Sequence, residues 1–90
     1  MQHFVQDPLE KVEYVLDWNY AIVEGVSIST SQWVANEALT LSSPNIDGEF
    51  TVISVEGGVV GKVYPVENRI TLSNGQKFVD SIFLYIEEKK

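Results

Sequence analysis

His3 is the only histidine in the chain, and there is no cysteine. Nucleophilic catalysis of the Ser-His-Asp kind needs an imidazole held by packed neighbours beside a serine hydroxyl. A histidine two residues from the start is poorly placed for that role and reads as a solvent-exposed residue or a contact to a partner chain. Thiolate nucleophiles and thiolate metal sites are excluded by composition. Asp17 and Glu49 are the nearest approach to an acid–base pair, but glycosidase chemistry needs two carboxyls facing across a cleft, and nothing in the pattern supplies one. The run Asn45-Ile46-Asp47-Gly48-Glu49 collects oxygens, yet it is too short to complete a calcium shell, and no Asp-x-Asp-x-Asp-Gly loop exists. Gly57-Gly58-Val59-Val60-Gly61 resembles a phosphate loop only in its glycines. Such loops need a following helix and a Lys-Ser or Lys-Thr pair, whereas Lys62-Val63-Tyr64 leads into a strand. The expectation is no catalytic residue, no metal site and no cofactor.

The elements that would position any site have period two. Val12, Tyr14, Leu16 and Trp18 alternate with Glu13, Val15 and Asp17, the mark of a half-buried strand. Val26-Ser27-Ile28-Ser29 and Leu39-Thr40-Leu41-Ser42 alternate again, with Trp33-Val34-Ala35 a short apolar edge between them. Ser43-Pro44-Asn45 should break the pattern, since proline cannot donate to a ladder. Glu49–Val55 is rich in β-branched residues. Tyr64, Val66, Asn68, Ile70 and Leu72 share one parity, and Pro65 predicts an edge position or a strand start. Asn74-Gly75 predicts a two-residue hairpin turn, and a last strand runs from Lys77 to Ile86 with Ile82, Leu84 and Ile86 on one face. Asp7-Pro8 could cap a single helical turn; no window has a longer helical repeat.

Six to eight short strands divided by Gly, Pro, Asn and Ser turns predict an all-β fold, an immunoglobulin-like antiparallel β-sandwich. Residues 1–90 are read as one domain, with 1–8 an N-terminal arm and 87–90 a solvated end. The predicted core is Tyr14, Leu16, Trp18, Trp33, Phe50, Val52, Tyr64, Val66, Ile70, Leu72, Ile82 and Leu84. Trp33 stands where immunoglobulin-like domains often bury one indole, and Tyr64 where many sandwiches tie down a corner. With 44 % hydrophobic residues the chain is too apolar to be disordered. The net charge of −7, with its few basic residues scattered, argues against nucleic acid and anionic membranes as partners. No stretch is apolar enough to span a bilayer. The first residues lack a basic region followed by an apolar run, so no secretory signal is expected there. The missing cysteines fit synthesis in a reducing cytosol.

A contact surface is the remaining functional candidate. The alternation fails at Asn19, so Tyr20, Ile22 and Val23 cannot all enter one sheet face. They form the best candidate for an exposed apolar patch, unless the loop folds back over the end of the sandwich. Phe4 and Val5, in the apolar arm before Pro8, could add as a strand to a neighbour's edge. Partner-binding residues are thus expected at Phe4, Val5, Tyr20, Ile22 and Val23.

Asp7-Pro8, Tyr14, Val15-Leu16-Asp17-Trp18, Gly25-Val26-Ser27-Ile28, Trp33, Gly57-Gly58, Gly61, Tyr64, Val66-Glu67-Asn68-Arg69-Ile70-Thr71, Ser73-Asn74-Gly75 and Asp80-Ser81-Ile82 follow one another in an order that resembles the small bacteriophage fiber–tail adaptor and tail-associated virion proteins. The resemblance covers nearly the whole chain and rests on order and spacing together. It implies an immunoglobulin-like fold and a non-enzymatic structural role in a tailed-phage virion, as an adaptor in the tail or neck. Other phage virion proteins (tail, connector or fiber) would be the partners, with multiple symmetric copies per particle, made in the bacterial host cytoplasm. A capsid-surface decoration protein is the alternative, and a carbohydrate-binding sandwich module a third reading. The family often carries more Thr and Arg around the last hairpin, where this chain has Gln76-Lys77-Phe78; a contact made there would meet a different partner surface.

Overall fold

The computed structural model describes residues 2–89, and among them the alternation becomes seven strands: β1 (Gln2–Gln6), β2 (Lys11–Asp17), β3 (Ile28–Ala35), β4 (Leu39–Asp47), β5 (Phe50–Gly57), β6 (Val63–Leu72) and β7 (Lys77–Ile86). A single 3₁₀ turn, Asn19–Ala21, is the one helical element described. Met1 of the expected arm and Lys90 of the expected solvated end lie outside the described residues. The strands form a four-stranded sheet of order β1-β7-β6-β3 and a three-stranded sheet of order β2-β5-β4. The fold is an all-β sandwich, and its strand order is compatible with an immunoglobulin-like arrangement.

One pairing departs from the antiparallel expectation. β1 runs parallel to β7, with Gln2 opposite Ile82 and Gln6 opposite Ile86. The segment expected to reach for a neighbour's edge is therefore already paired within its own chain. The reason is visible in what β1 buries. Gln6 is fully buried, and its amide Nε2 donates to the carbonyls of Glu10 and Val55 at 2.9 and 2.8 Å. Its Oε1 accepts from the Tyr14 hydroxyl at 2.6 Å. Phe4 sits over the Tyr14 ring, centroids 4.9 Å apart.

The inner faces meet in one apolar cluster that includes Tyr14, Leu16, Trp18, Ile53, Val55, Tyr64, Val66, Ile70, Leu72, Ile82, Leu84 and Ile86. Three expected core residues do not belong to it. Phe50 is 41 % exposed, and Val52 and Trp33 are half-buried. On β5 it is the other parity, Thr51, Ile53 and Val55, that faces inward. Trp18 rather than Trp33 is the fully buried indole, and its N–H finds two acceptors. Its Nε1 donates to Thr51 Oγ1 at 2.9 Å and to Asn68 Oδ1 at 3.2 Å, while Trp33 Nε1 has no partner among the described residues. The Thr51 hydroxyl also donates to Asn68 Oδ1 at 2.6 Å, and Asn68 Nδ2 donates to Ser31 Oγ and the Gln32 carbonyl. This closed network ties β6 and β3 to β5 and the end of β2 across the two sheets. Most buried polar groups are satisfied in this way; among the described residues Trp33 Nε1 and Ser42 Oγ are buried without a partner.

Turn chemistry explains the remaining differences. Ser43-Pro44 does not end β4. The ladder with β5 skips from Ser42 to Asn45, with Ser43 at φ 51°, so the strand absorbs the proline in a bulge. The last hairpin closes at Leu72 N–H to the Gln76 carbonyl, 2.8 Å. That leaves three loop residues rather than two, with Gly75 at φ 88° in the left-handed position. Pro65 sits in a strand with neighbours on both sides, but the β3 ladder stops at Ala35 opposite Val66, one residue short of the proline. Asp7-Pro8 makes a turn, not a helix. Tyr64 behaves as a corner tyrosine: its hydroxyl accepts the Val59 N–H at 3.1 Å.

The chain ends are held together by a carboxylate clasp. Asp7 accepts from the Leu9 and Lys89 N–H groups, each at 2.8 Å, and Glu10 accepts from the Asp7 N–H and pairs with Lys89 Nζ at 2.9 Å. Hydrogen bonds to the charged form lower both carboxyls below their ordinary values: for Asp7 the Leu9 and then the Lys89 N–H, for Glu10 the Asp7 N–H and then the Lys89 ammonium. A depressed folded pKa contributes stability above the unfolded value and loses it as pH falls through the folded one. The clasp is therefore complete at neutral pH and opens in acid, in the window reaching below 3.8 for Asp7 and 4.5 for Glu10. An NMR titration should find both carboxyls below those values, and Lys89→Ala should move Glu10 back upward; an unmoved Glu10 would mean the ion pair is not formed in solution.

Candidate interaction surface

β7 is apolar on both parities from Ile82 to Ile86. In a sandwich of two layers only one face of a strand can be covered. Ile82, Leu84 and Ile86 take the inside, so Phe83 and Tyr85 must lie outside. The register then builds rows across the outer face of the four-stranded sheet. Val5, Tyr85 and Val63 form one row, and His3, Phe83 and Pro65 the next. His3 stacks on Phe83 at 5.4 Å and meets Tyr85 edge-on at 5.8 Å. Val5, Val63 and Tyr85 remain 38–50 % exposed, although nothing in the fold prevents polar residues at these positions. Beside the rows, where β3 ends before Pro65, lies an open groove of about 500 Å³ whose walls include Val34, Lys62, Val63, Pro65 and Arg69.

The five expected contact residues do not come together. Phe4 points inward and is half-buried against the core, whereas Val5 lies on the outer face just described. Ile22 also packs on the core, so the β2–β3 loop does in part cover the end of the sandwich. Tyr20 and Val23 stay 68 % and 63 % exposed. The Tyr20 ring lies 5.9 Å from that of Trp18. Partial desolvation, and then the Asp80 carboxylate, raise its phenol above the ordinary value. The loop is fixed from two sides: the Asn19 amide bonds the Glu49 carboxylate, and the Ser27 carbonyl accepts the Ser73 N–H at 2.8 Å. Tyr20 is thus near Asp80, and Val5 is level with Tyr85 five residues further along β7, roughly 17 Å at strand rise. There are two patches, one at the loop end and one on the sheet face.

Sequence reasoning missed the sheet-face patch. Its signal was present in Phe83 and Tyr85 alternating with an equally apolar set, which a two-layer fold cannot bury on both sides. Among the described residues no group of three or more His, Cys, Asp or Glu side chains could hold a metal ion, and no helix is long and apolar enough to cross a membrane. The arrangement offers exposed apolar and aromatic surface on the sheet face and at the loop end.

Among curated proteins no relative matches the chain. The family model of the podophage GP4 fiber-tail adaptor protein gp77 matches residues 6–85. That span runs from the last residue of β1 to the penultimate residue of β7 and so takes in β2 to β6 and nearly all of β7, and the chain belongs to this family of phage fiber-tail adaptors.

Proposed function

We propose that the chain is a non-enzymatic structural adaptor in the tail or neck of a tailed-phage virion, joining tail or connector proteins to fibers. The observation that carries this reading is the exposed Val5-Tyr85-Val63 row beside His3-Phe83-Pro65, on a domain that family membership places among fiber-tail adaptors. Apolar and aromatic surface that is not needed for the core has a cost in solubility, and a partner removes it. Tyr20 and Val23 form a second contact at the loop end. Multiple symmetric copies in the particle, assembled from protein made in the host cytoplasm, suit such a joint. The acidic charge keeps the free protein soluble and away from nucleic acid and membrane surfaces. A flat sugar-binding platform is not favoured: the Phe83 ring lies 24° from His3 and the Tyr85 ring 70°, so the aromatics do not share a plane.

Tyr20→Ser with Val23→Ser should leave the free domain folded, within about 0.5 kcal/mol as for surface substitutions, and reduce its incorporation into particles. Ile22→Ser should instead destabilise the free protein. Normal incorporation of the double variant would remove the loop from the contact. Particles assembled without this chain should retain tails and lack fibers; fully fibered particles would refute the adaptor reading.

A further inference from the structure

Four strands stand at the edges of the two sheets: β1 and β3 of one, β2 and β4 of the other. An edge offers unpaired N–H and C=O groups to another chain, and folds blunt it with short strands, charges, proline or bulges. Three of these edges are blunted. β1 is five residues long, β2 carries Lys11, Glu13 and Asp17, and β4 bends at Pro44 with Ser43 at φ 51°. β3 is not. Past its bulge between Ile28 and Thr30 it keeps unbroken register with β6 over residues 30–35, with no charge, proline or glycine. Its other side makes no backbone ladder among the described residues. The sandwich is also open along this edge. Ser31, Trp33 and Ala35 face inward, opposite Ile70, Asn68 and Val66, yet each is only half-buried. On β4, Ile46 faces inward opposite Thr51 and is still 38 % exposed. Between the two strands lies a notch of about 380 Å³ walled by Ser31, Pro44, Asn45 and Ile46.

We infer that β3 accepts an extended segment of a different virion protein as an added strand, with aliphatic side chains at alternate positions, one of which enters the notch beside Ile46. The backbone ladder supplies affinity and the notch selects the side chain. Asp47 is exposed next to Ile46 and has no ion-pair partner among the described residues, so a lysine or arginine suits the segment where it passes that end. A second copy of this chain is not the occupant. The free edge spans residues 30–35, roughly 20 Å long and 10 Å deep. That is on the order of 200 Å², against about 800 Å² per partner in a stable interface. A segment whose parent chain also covers the outer sheet face needs no more than this, because tethering raises its local concentration. The inference deepens the adaptor reading and rests on it for the source of the segment, but the edge is measurable on the free chain.

The test titrates a synthetic strand peptide, valine alternating with threonine and a lysine at each end, into the full chain and follows amide NMR signals. Saturable shifts should centre on residues 30–35 and Ile46, with a Kd on the order of 1 mM. The same peptide N-methylated at alternate amides cannot form the ladder and should leave those signals unmoved. Ile46→Lys closes the notch and should weaken binding about tenfold, or 1.4 kcal/mol, in a domain still folded by its thermal melt; if that variant unfolds, Asn45→Lys takes its place. In assembled particles the amides of residues 30–35 should exchange about tenfold more slowly than in the free chain. No shifts at about ten times that Kd, equal shifts with the N-methylated peptide, or shifts centred on Val63 and Tyr85 overturn the inference. So do unprotected β3 amides in particles, or the same shifts on raising protein concentration without peptide, which marks a second copy as the occupant. Failure of the adaptor reading shows separately, as particles that keep their fibers without this chain.

Discussion

Asn68→Leu should lower the stability of the free domain by about 3 kcal/mol, since each buried polar group left without a partner costs about 1–3 kcal/mol. Leucine is close in volume, so the loss is one of hydrogen bonding rather than of packing. The Thr51 hydroxyl loses its acceptor, and Ser31 and the Gln32 carbonyl lose the Asn68 amide. Trp18 Nε1 keeps only Thr51. At roughly 4–8 °C per kcal/mol for a domain of this size, the melting midpoint should fall by at least about 12 °C. Adding Thr51→Val should deepen that fall, because the buried Trp18 Nε1–H then loses its last acceptor. A double-mutant cycle with no coupling would mean that the network does not act as a unit.

Leu84→Ala should cost about 2–5 kcal/mol, the range for deleting a fully buried leucine side chain. Leu84 lies on the inner face of β7 between Phe4 of β1 and Tyr64 of β6, with no exposed surface. A domain of this size has only about 5–13 kcal/mol of total stability, so the variant should be near the edge of folding at physiological temperature. Tyr85→Ala, one residue along, should change the melting midpoint far less, because that side chain stands on the outer face. Equal effects at the two positions would mean that the parity of β7, and with it the exposed patch, is misassigned. Thermal denaturation of the two variants side by side decides it.

The strands whose two faces differ in polarity were legible in the sequence. β6 alternates Tyr64, Val66, Asn68, Ile70 and Leu72 with Pro65, Glu67, Arg69 and Thr71, and it folds that way. β7 has the expected bounds. β5 was misread because Phe50, Val52 and Ser54 compete with Thr51, Ile53 and Val55 on apolar content alone. The choice is made by Thr51, whose hydroxyl is needed against Trp18 and Asn68, partners 33 and 17 residues away in sequence. No local pattern contains that information. The parallel pairing of β1 is hidden for the same reason. Five residues have no turn to fix their register, and Gln6 reads as a surface residue until Tyr14 and Val55 surround it. Of the expected contact residues, Tyr20 and Val23 remain on the surface, and Phe4 and Ile22 turn inward to cover gaps in the core.

The central claim is that this sandwich joins virion proteins through its outer surfaces, and a cryo-electron microscopy map of the intact tail tests it most directly. The account predicts density for the domain in several copies between tail and fiber, with the row Val5, Tyr85 and Val63 covered by a neighbouring chain. A map in which the domain lies away from the fiber attachment site, or in which that row faces open solvent, would contradict it.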